Sequence, residues 1–122
     1  MQTAINPEAK WVEICALDDL PEDMGTGALV DDQQIALFYF PEQENVFALS
    51  NYDPFSKANV ISRGIIGSLG DELVVASPVY KQHFSLTTGR CLEDESVSLI
   101  SYPVKIENGQ VLVQAQIYTE TP

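Results

Sequence analysis

A chain of 122 residues with 45% apolar and 20% charged side chains is long enough to bury one core and too hydrophobic for disorder. Its net charge of −12, from 18 acidic and 6 basic residues, argues against nucleic acid or an anionic membrane surface as a partner. The longest unbroken apolar run, Ile35 to Phe40, is six residues and stops at Pro41, far short of the roughly 20 that a membrane-spanning helix needs.

Residues 1–10, MQTAINPEAK, lack a basic stretch followed by an apolar one, so they read as an N-terminal extension and a cytoplasmic location is expected. No repeat or linker divides the chain after residue 10, so residues 11–118 are expected to form one domain and 119–122 a short tail. WVEICAL (11–17) is rich in β-formers, whereas DDLPEDMGTG reads as a loop with room for one helical turn. ALV and QIALFYF flank Asp31-Asp32-Gln33, which suggests a hairpin; NVFALS and ELVVAS read as two further strands. In YPVKIENGQVLVQ the pair Asn108-Gly109 suits a type I′ turn, because both positions accept positive φ. That turn sets Ile106 opposite Val111 and Val104 opposite Val113 on one face, with Lys105, Glu107, Gln110 and Gln114 on the other. No window shows sustained helical periodicity, so the fold class is all-β, an antiparallel β-sandwich or partly open barrel.

Charge is unevenly placed along the chain. Residues 1–50 hold ten acids and one base, and residues 91–122 five acids and one base. The middle, 51–90, sets Lys57, Arg63, Lys81 and Arg90 against Asp53, Asp71 and Glu72, with the single histidine, His83, in addition. An acidic surface keeps a domain apart from its copies; the more basic middle reads as a face built to meet something. Cys15 and Cys91 form no Cys-x-x-Cys pair and are expected to be free thiols.

Two turn-rich loops lie in that middle segment, SNYDPFSKANVISRGI and ASPVYKQHFSLTTGRCLE, each coming after a strand. Together they resemble the Rieske ferredoxin domain, whose loops carry Cys-Pro-His and Cys-Pro-x-His. The resemblance implies a Rieske-like β-fold with two long loops in place of the cluster-binding loops. Asn51, Pro54, Ala58 to Val60, Pro78, Phe84, Leu86 and Thr88-Gly89 keep the pattern, but Asp53 and Ser77 stand at the cysteine positions, and Phe55 and Tyr80 at the histidine positions. A Rieske cluster takes two thiolates on one iron and two imidazoles on the other. A carboxylate, a phenyl ring, a hydroxyl and a phenol do not supply that set, and Phe55 has no donor at all, so no cluster, cofactor or metal is expected in this chain.

Among Rieske-like proteins, DPFSKANVISRGI, VASPVYKQHFSLTTGRCLED, SYPVKIENGQVLVQ and WVEICALDDLPEDMGTGALV resemble the small subunits of assimilatory NAD(P)H-dependent nitrite reductases. That resemblance implies a non-catalytic accessory chain beside a large subunit that carries FAD, an iron–sulfur cluster and sirohaem and reduces nitrite to ammonium. The loops then become a docking face, with Phe55, Lys57, Arg63, Tyr80, Lys81 and His83 as candidate contacts and Phe84 as a further candidate aromatic anchor, since aromatic anchors and complementary charge favour association. Phe55 and Tyr80 have an alternative role as filler of the volume that a cluster would leave. A second hypothesis is an electron-transfer protein that still binds a cofactor, either a flavin or a nonstandard metal to which Asp53, Ser77, Tyr80 and His83 would give oxygen and nitrogen ligands. A third, a hydrolase with Cys91 or Ser77 as nucleophile and His83 as base, has no motif around either residue.

Overall fold

The computed structural model describes residues 2–5, 11–30, 32–114 and 117–120, the two terminal segments as backbone alone. The first strands are β1 (Gln2–Ile5), β2 (Val12–Ala16), β3 (Gly25–Val30), β4 (Gln33–Phe40), β5 (Asn45–Ser50), β6 (Tyr52–Asp53) and β7 (Ala58–Asn59). The remaining strands are β8 (Ile65–Leu69), β9 (Glu72–Ala76), β10 (His83–Ser85), β11 (Ser101–Tyr102), β12 (Val104–Glu107), β13 (Gln110–Val113) and β14 (Ile117–Glu120). Three single 3-10 turns, Leu17–Asp19, Pro41–Gln43 and Ile61–Arg63, are the only helical backbone among the described residues.

Strand β4 shows why the apolar run before Pro41 is unbroken. Ile35 and Leu37 enter one buried cluster with Leu20, Val30, Val46, Ala48, Tyr102, Val111 and Val113. Ala36, Phe38 and Phe40, the alternate positions, enter a second with Leu49, Ile61, Val75, Phe84, Leu86, Cys91 and Leu99. A strand covered on both faces has no solvent side on which to place polar residues. The central sheet β11-β5-β4-β3 therefore lies between β12-β13-β2 on one face and β10-β9-β8 on the other, and the antiparallel sheets do not close into a barrel. Burying each large side chain contributes about 1.5–3 kcal/mol, so these two layers carry the fold. Backbone of β1 pairs antiparallel with β14, Gln2 opposite Glu120.

The expected hairpin at Asn108-Gly109 is present with the expected register, Ile106 opposite Val111 and Val104 opposite Val113, and both turn residues have positive φ. Gln114 departs from the expected polar face and is buried, its N–H donating to the Pro103 carbonyl at 3.1 Å. Strands β3 and β4 pair as expected, with Val30 opposite Gln33; Asp31 of that turn lies outside the described residues.

Three segments with the composition of loops are partly strand. Gly25, Thr26 and Gly27 belong to β3, Ile65 opens β8, and His83 to Ser85 form β10 inside the second loop. Each is short, and its regularity comes from neighbours: β8 and β10 flank β9 on either side, with Ile65 and His83 both opposite Ala76. Cys91 sits fully buried against this layer, bridging to Phe84, and both cysteines are free.

Candidate functional site

The two loops have one backbone shape. Asp53-Pro54-Phe55-Ser56-Lys57 closes with the Lys57 N–H donating to the Asp53 carbonyl at 2.7 Å, and Ser77-Pro78-Val79-Tyr80-Lys81 closes with the Lys81 N–H donating to the Ser77 carbonyl at 3.0 Å. In each, the leading side chain accepts from the N–H two residues on: Phe55 to Asp53 Oδ1 at 2.9 Å, and Val79 to Ser77 Oγ at 3.3 Å. A short polar side chain followed by proline favours this turn, since it caps the backbone while proline presets φ. Both lysines close their turns in the left-handed region, at φ 59° and 63°. The cost of that conformation is about 1–2 kcal/mol for a residue with a Cβ, and the two closing hydrogen bonds help to offset it.

The loops meet at their first residues. Asp53 and Ser77 are both fully buried, and the Ser77 hydroxyl donates to Asp53 Oδ2 at 2.5 Å. Ser56 Oγ donates to the same oxygen at 2.9 Å, so the carboxylate takes three donors from the two loops, none of them a cation. Asn51, also buried, holds the base of the first loop: its Oδ1 accepts from the Ser62 N–H at 2.7 Å and its carbonyl from the Ile61 N–H at 3.1 Å. Asn51 is among the residues that keep the Rieske pattern, although the pattern does not say what it bonds, and Ser56 carries no such signal. A polar side chain at the end of an apolar strand is the one local signal for Asn51.

The aromatic residues at the histidine positions part company. Phe55 is half-buried, with its ring 6.2 Å from that of Phe84 at the edge of the second cluster, so it serves as filler, and Phe84 itself is fully buried in that cluster and is a core residue, not an anchor for a partner. Tyr80 does not; it is 60% exposed, beside Val79 at 47%. Lys57, Arg63 and Lys81 are all exposed. Arg63 ends the turn after the first loop, and its neighbour Gly64 passes so close to the Ala76 carbonyl that a Cβ there would lie at 2.4 Å from it. The second loop and the segment carrying Arg63 are thereby in contact.

His83 is turned to a different partner. Its N–H donates to Glu93 Oε1 and its Nδ1 meets Glu93 Oε2, both at 2.7 Å. Partial burial pushes the Glu93 carboxyl up, but the His83 N–H, ring and charge outweigh it and hold the group below the usual carboxylate range. A folded-state value below the unfolded one stabilises above the unfolded pKa, about 4.3, and is lost as pH falls through the folded value. Wild type should therefore lose stability on acidification below about pH 4 more steeply than Glu93→Gln, by under about 1 kcal/mol because the pair is partly exposed, as urea melts across pH would measure.

These residues do not fit a [2Fe–2S] cluster. The Asp53 carboxylate is an oxygen donor already engaged by three hydrogen bonds, Ser77 is spent on it, Phe55 offers only carbon, and the Tyr80 side chain lies out at the surface. Of the set Asp53, Ser77, Tyr80 and His83, only Asp53 and Ser77 meet, while the His83 ring is engaged by Glu93 and Tyr80 is exposed; no group of three or more His, Cys, Asp or Glu able to hold a metal occurs among the described residues. Cys91 as nucleophile has no support either: it is fully buried, and the ring of His83 is engaged by Glu93.

Comparison with known proteins agrees with the loops. Residues 10–114 match the family model of the Rieske-like [2Fe-2S] domain. The nitrite reductase (NADH) small subunit of Escherichia coli K12 is 43% identical over 103 residues, covering 84% of this chain and 95% of that one. The nitrite reductase [NAD(P)H] large subunit of Klebsiella oxytoca is 46% identical over 110 residues, and the match spans 90% of this chain but only 11% of that relative. The NMR structure of the E. coli protein NirD superposes with a TM-score of 0.79 at 42% identity, covering 86% of this chain and 96% of the other. The chain belongs to the Rieske-like domain family and, within it, to the small subunits of NAD(P)H nitrite reductase, an oxidoreductase.

Proposed function

We propose that the chain is a non-catalytic, cytoplasmic subunit without a cluster of its own, which supports nitrite reduction to ammonium in nitrogen assimilation. It docks through its loop tips on a large subunit bearing the flavin, iron–sulfur and sirohaem groups. The observation that carries this reading is the K. oxytoca relative, in which the matching stretch is part of a polypeptide named as the large subunit. A module fused to a chain in one protein and separate in another is expected to work in contact with that chain, the tether replacing affinity by effective concentration. The exposed tips fit such a role: Tyr80 and Val79 offer apolar area, and Lys57 and Lys81 offer positive charge on a molecule of net charge −12. Complementary charge at a rim steers encounter.

Co-expression with the large subunit tests this. Co-purification, and NAD(P)H-dependent nitrite turnover that rises when the chain is present, are expected. Equal turnover without it and no co-purification would overturn the reading. The chain purified alone should be colourless, with far less than stoichiometric iron. Lys57→Glu combined with Lys81→Glu should weaken association about tenfold at low salt, with the loss shrinking as salt screens it.

A further inference from the structure

The Asp53–Ser77 hydrogen bond occupies a particular place. In a Rieske site the two cysteine positions bind one iron, so that metal ties the two loops together. Here those two positions are bonded directly to each other across 24 residues of sequence, in a fully buried setting. We infer that Asp53 is a positioning residue: its carboxylate is a metal-free strut that fixes the spacing and angle of the two loop tips, and so preforms the docking face. This deepens the docking reading above and rests on it for its functional part.

Three features set the strut apart from ordinary core packing. The carboxylate's hydrogen-bond donors are all uncharged, and they come from both loops: the Phe55 N–H and Ser56 hydroxyl from the first, the Ser77 hydroxyl from the second. Each loop also closes on itself through its own backbone bond to Lys57 or Lys81, so each turn is stable in shape without the other. Only their mutual placement is left to be set. Ser77 Oγ is the direct side-chain link between the leading residues of the two loops, and Phe55 against Phe84 adds a non-directional contact. Directional bonds fix orientation, whereas apolar contact tolerates sliding. Tips held in one arrangement lose less entropy on binding.

Ser77→Ala removes the cross-loop donor, together with the Oγ that accepts from the Val79 N–H, and leaves the carboxylate its two donors from the first loop; the Lys81 N–H still closes the second turn on the Ser77 carbonyl, and Ser77→Thr keeps a hydroxyl. In the isolated chain, with Cys15→Ser as background, spin labels on Lys57→Cys and Lys81→Cys report the separation of the tips. The distance distribution should broaden in Ser77→Ala and recover in Ser77→Thr. Unlabelled Ser77→Ala should bind the large subunit roughly three- to tenfold more weakly, with Ser77→Thr restoring most of it. An unchanged distribution in Ser77→Ala overturns the strut, whatever docking does. A broadened distribution with unchanged docking upholds the strut but overturns the loop tips as the docking face. A variant that melts below the assay temperature is replaced by Asp53→Asn, whose amide bonds fewer donors; the same two outcomes then decide.

Discussion

Phe84→Ala should cost the domain about 4 kcal/mol, within the 3–5 usual for truncating a buried phenylalanine. Its ring is fully buried and lies in the cluster that joins the central sheet to β8–β10, with Phe38, Leu49, Ile61, Val75 and Leu86 around it. Phe84 stands opposite Val75 on one strand and bridges to Cys91 on the other side. Because three chain segments converge on that ring, none can close the hole without abandoning its pairing. The melting temperature should fall by roughly 15 °C for a chain of this size. Phe84→Leu, which keeps most of the volume, should cost under about 1.5 kcal/mol. A loss below about 1 kcal/mol for the alanine variant in urea melts would show that the site collapses freely.

That change also bears on function, because Phe84 is the floor under Phe55. Losing the floor removes the apolar support of the first loop and leaves it only its hydrogen bonds, those of Asp53 and Asn51 and the β6–β7 pairing among them, so its tip should loosen beyond what the global loss explains. Phe55→Ala, half-buried at the margin, should cost less than half as much as Phe84→Ala, about 1–2 kcal/mol, by the area each removes from water.

The sequence shows some of this and hides the rest for physical reasons. The hairpin at Asn108-Gly109 is legible because turn chemistry and alternation point the same way, and both are local. The all-β class is legible because nothing of helical period competes. Strand β4 is legible as a strand, yet its burial on both faces is written in the continuity of the run, a signal that a buried strand shares with a short buried helix. Strand β8 escapes because glycine and serine dilute its apolar residues, although Gly70-Asp71 is a good two-residue turn toward β9.

The site divides along the same line. Substitution of the four ligand positions is readable residue by residue, since donor chemistry belongs to the side chain. Which of those side chains touch is a property of packing. Asp53 bonding Ser77, Phe55 turning inward and Tyr80 outward are long-range outcomes that no local pattern encodes. The pairing of His83 with Glu93 is of the same kind: β10 and the segment after Cys91 are held together there by the Leu92 N–H, which donates to the His83 carbonyl at 2.8 Å.

Gly89→Ala is the second large effect expected, about 3 kcal/mol or more, and it separates two costs that glycine usually hides together. At φ +82° an L side chain is strained, by about 1–2 kcal/mol. In addition, a Cβ there would lie 2.1 Å from the Leu99 carbonyl oxygen, a backbone atom that cannot rotate away. Retreat is blocked because the Leu99 N–H donates to the Gly89 carbonyl at 2.7 Å and the Gly89 N–H to the Ser85 carbonyl at 2.8 Å. Relieving the clash therefore means giving up a hydrogen bond or moving buried Leu99 out of the second cluster, a further 1–3 kcal/mol or so. Gly109 provides the control, since it has φ +75° and nothing within 4 Å of a would-be Cβ. Gly109→Ala should show strain alone, about 1–2 kcal/mol, and the difference between the two urea midpoints isolates the contact. Equal midpoints would mean that the 90–99 segment yields at no cost, and then it could not be the clamp that buries Cys91 and holds Glu93 against the second loop.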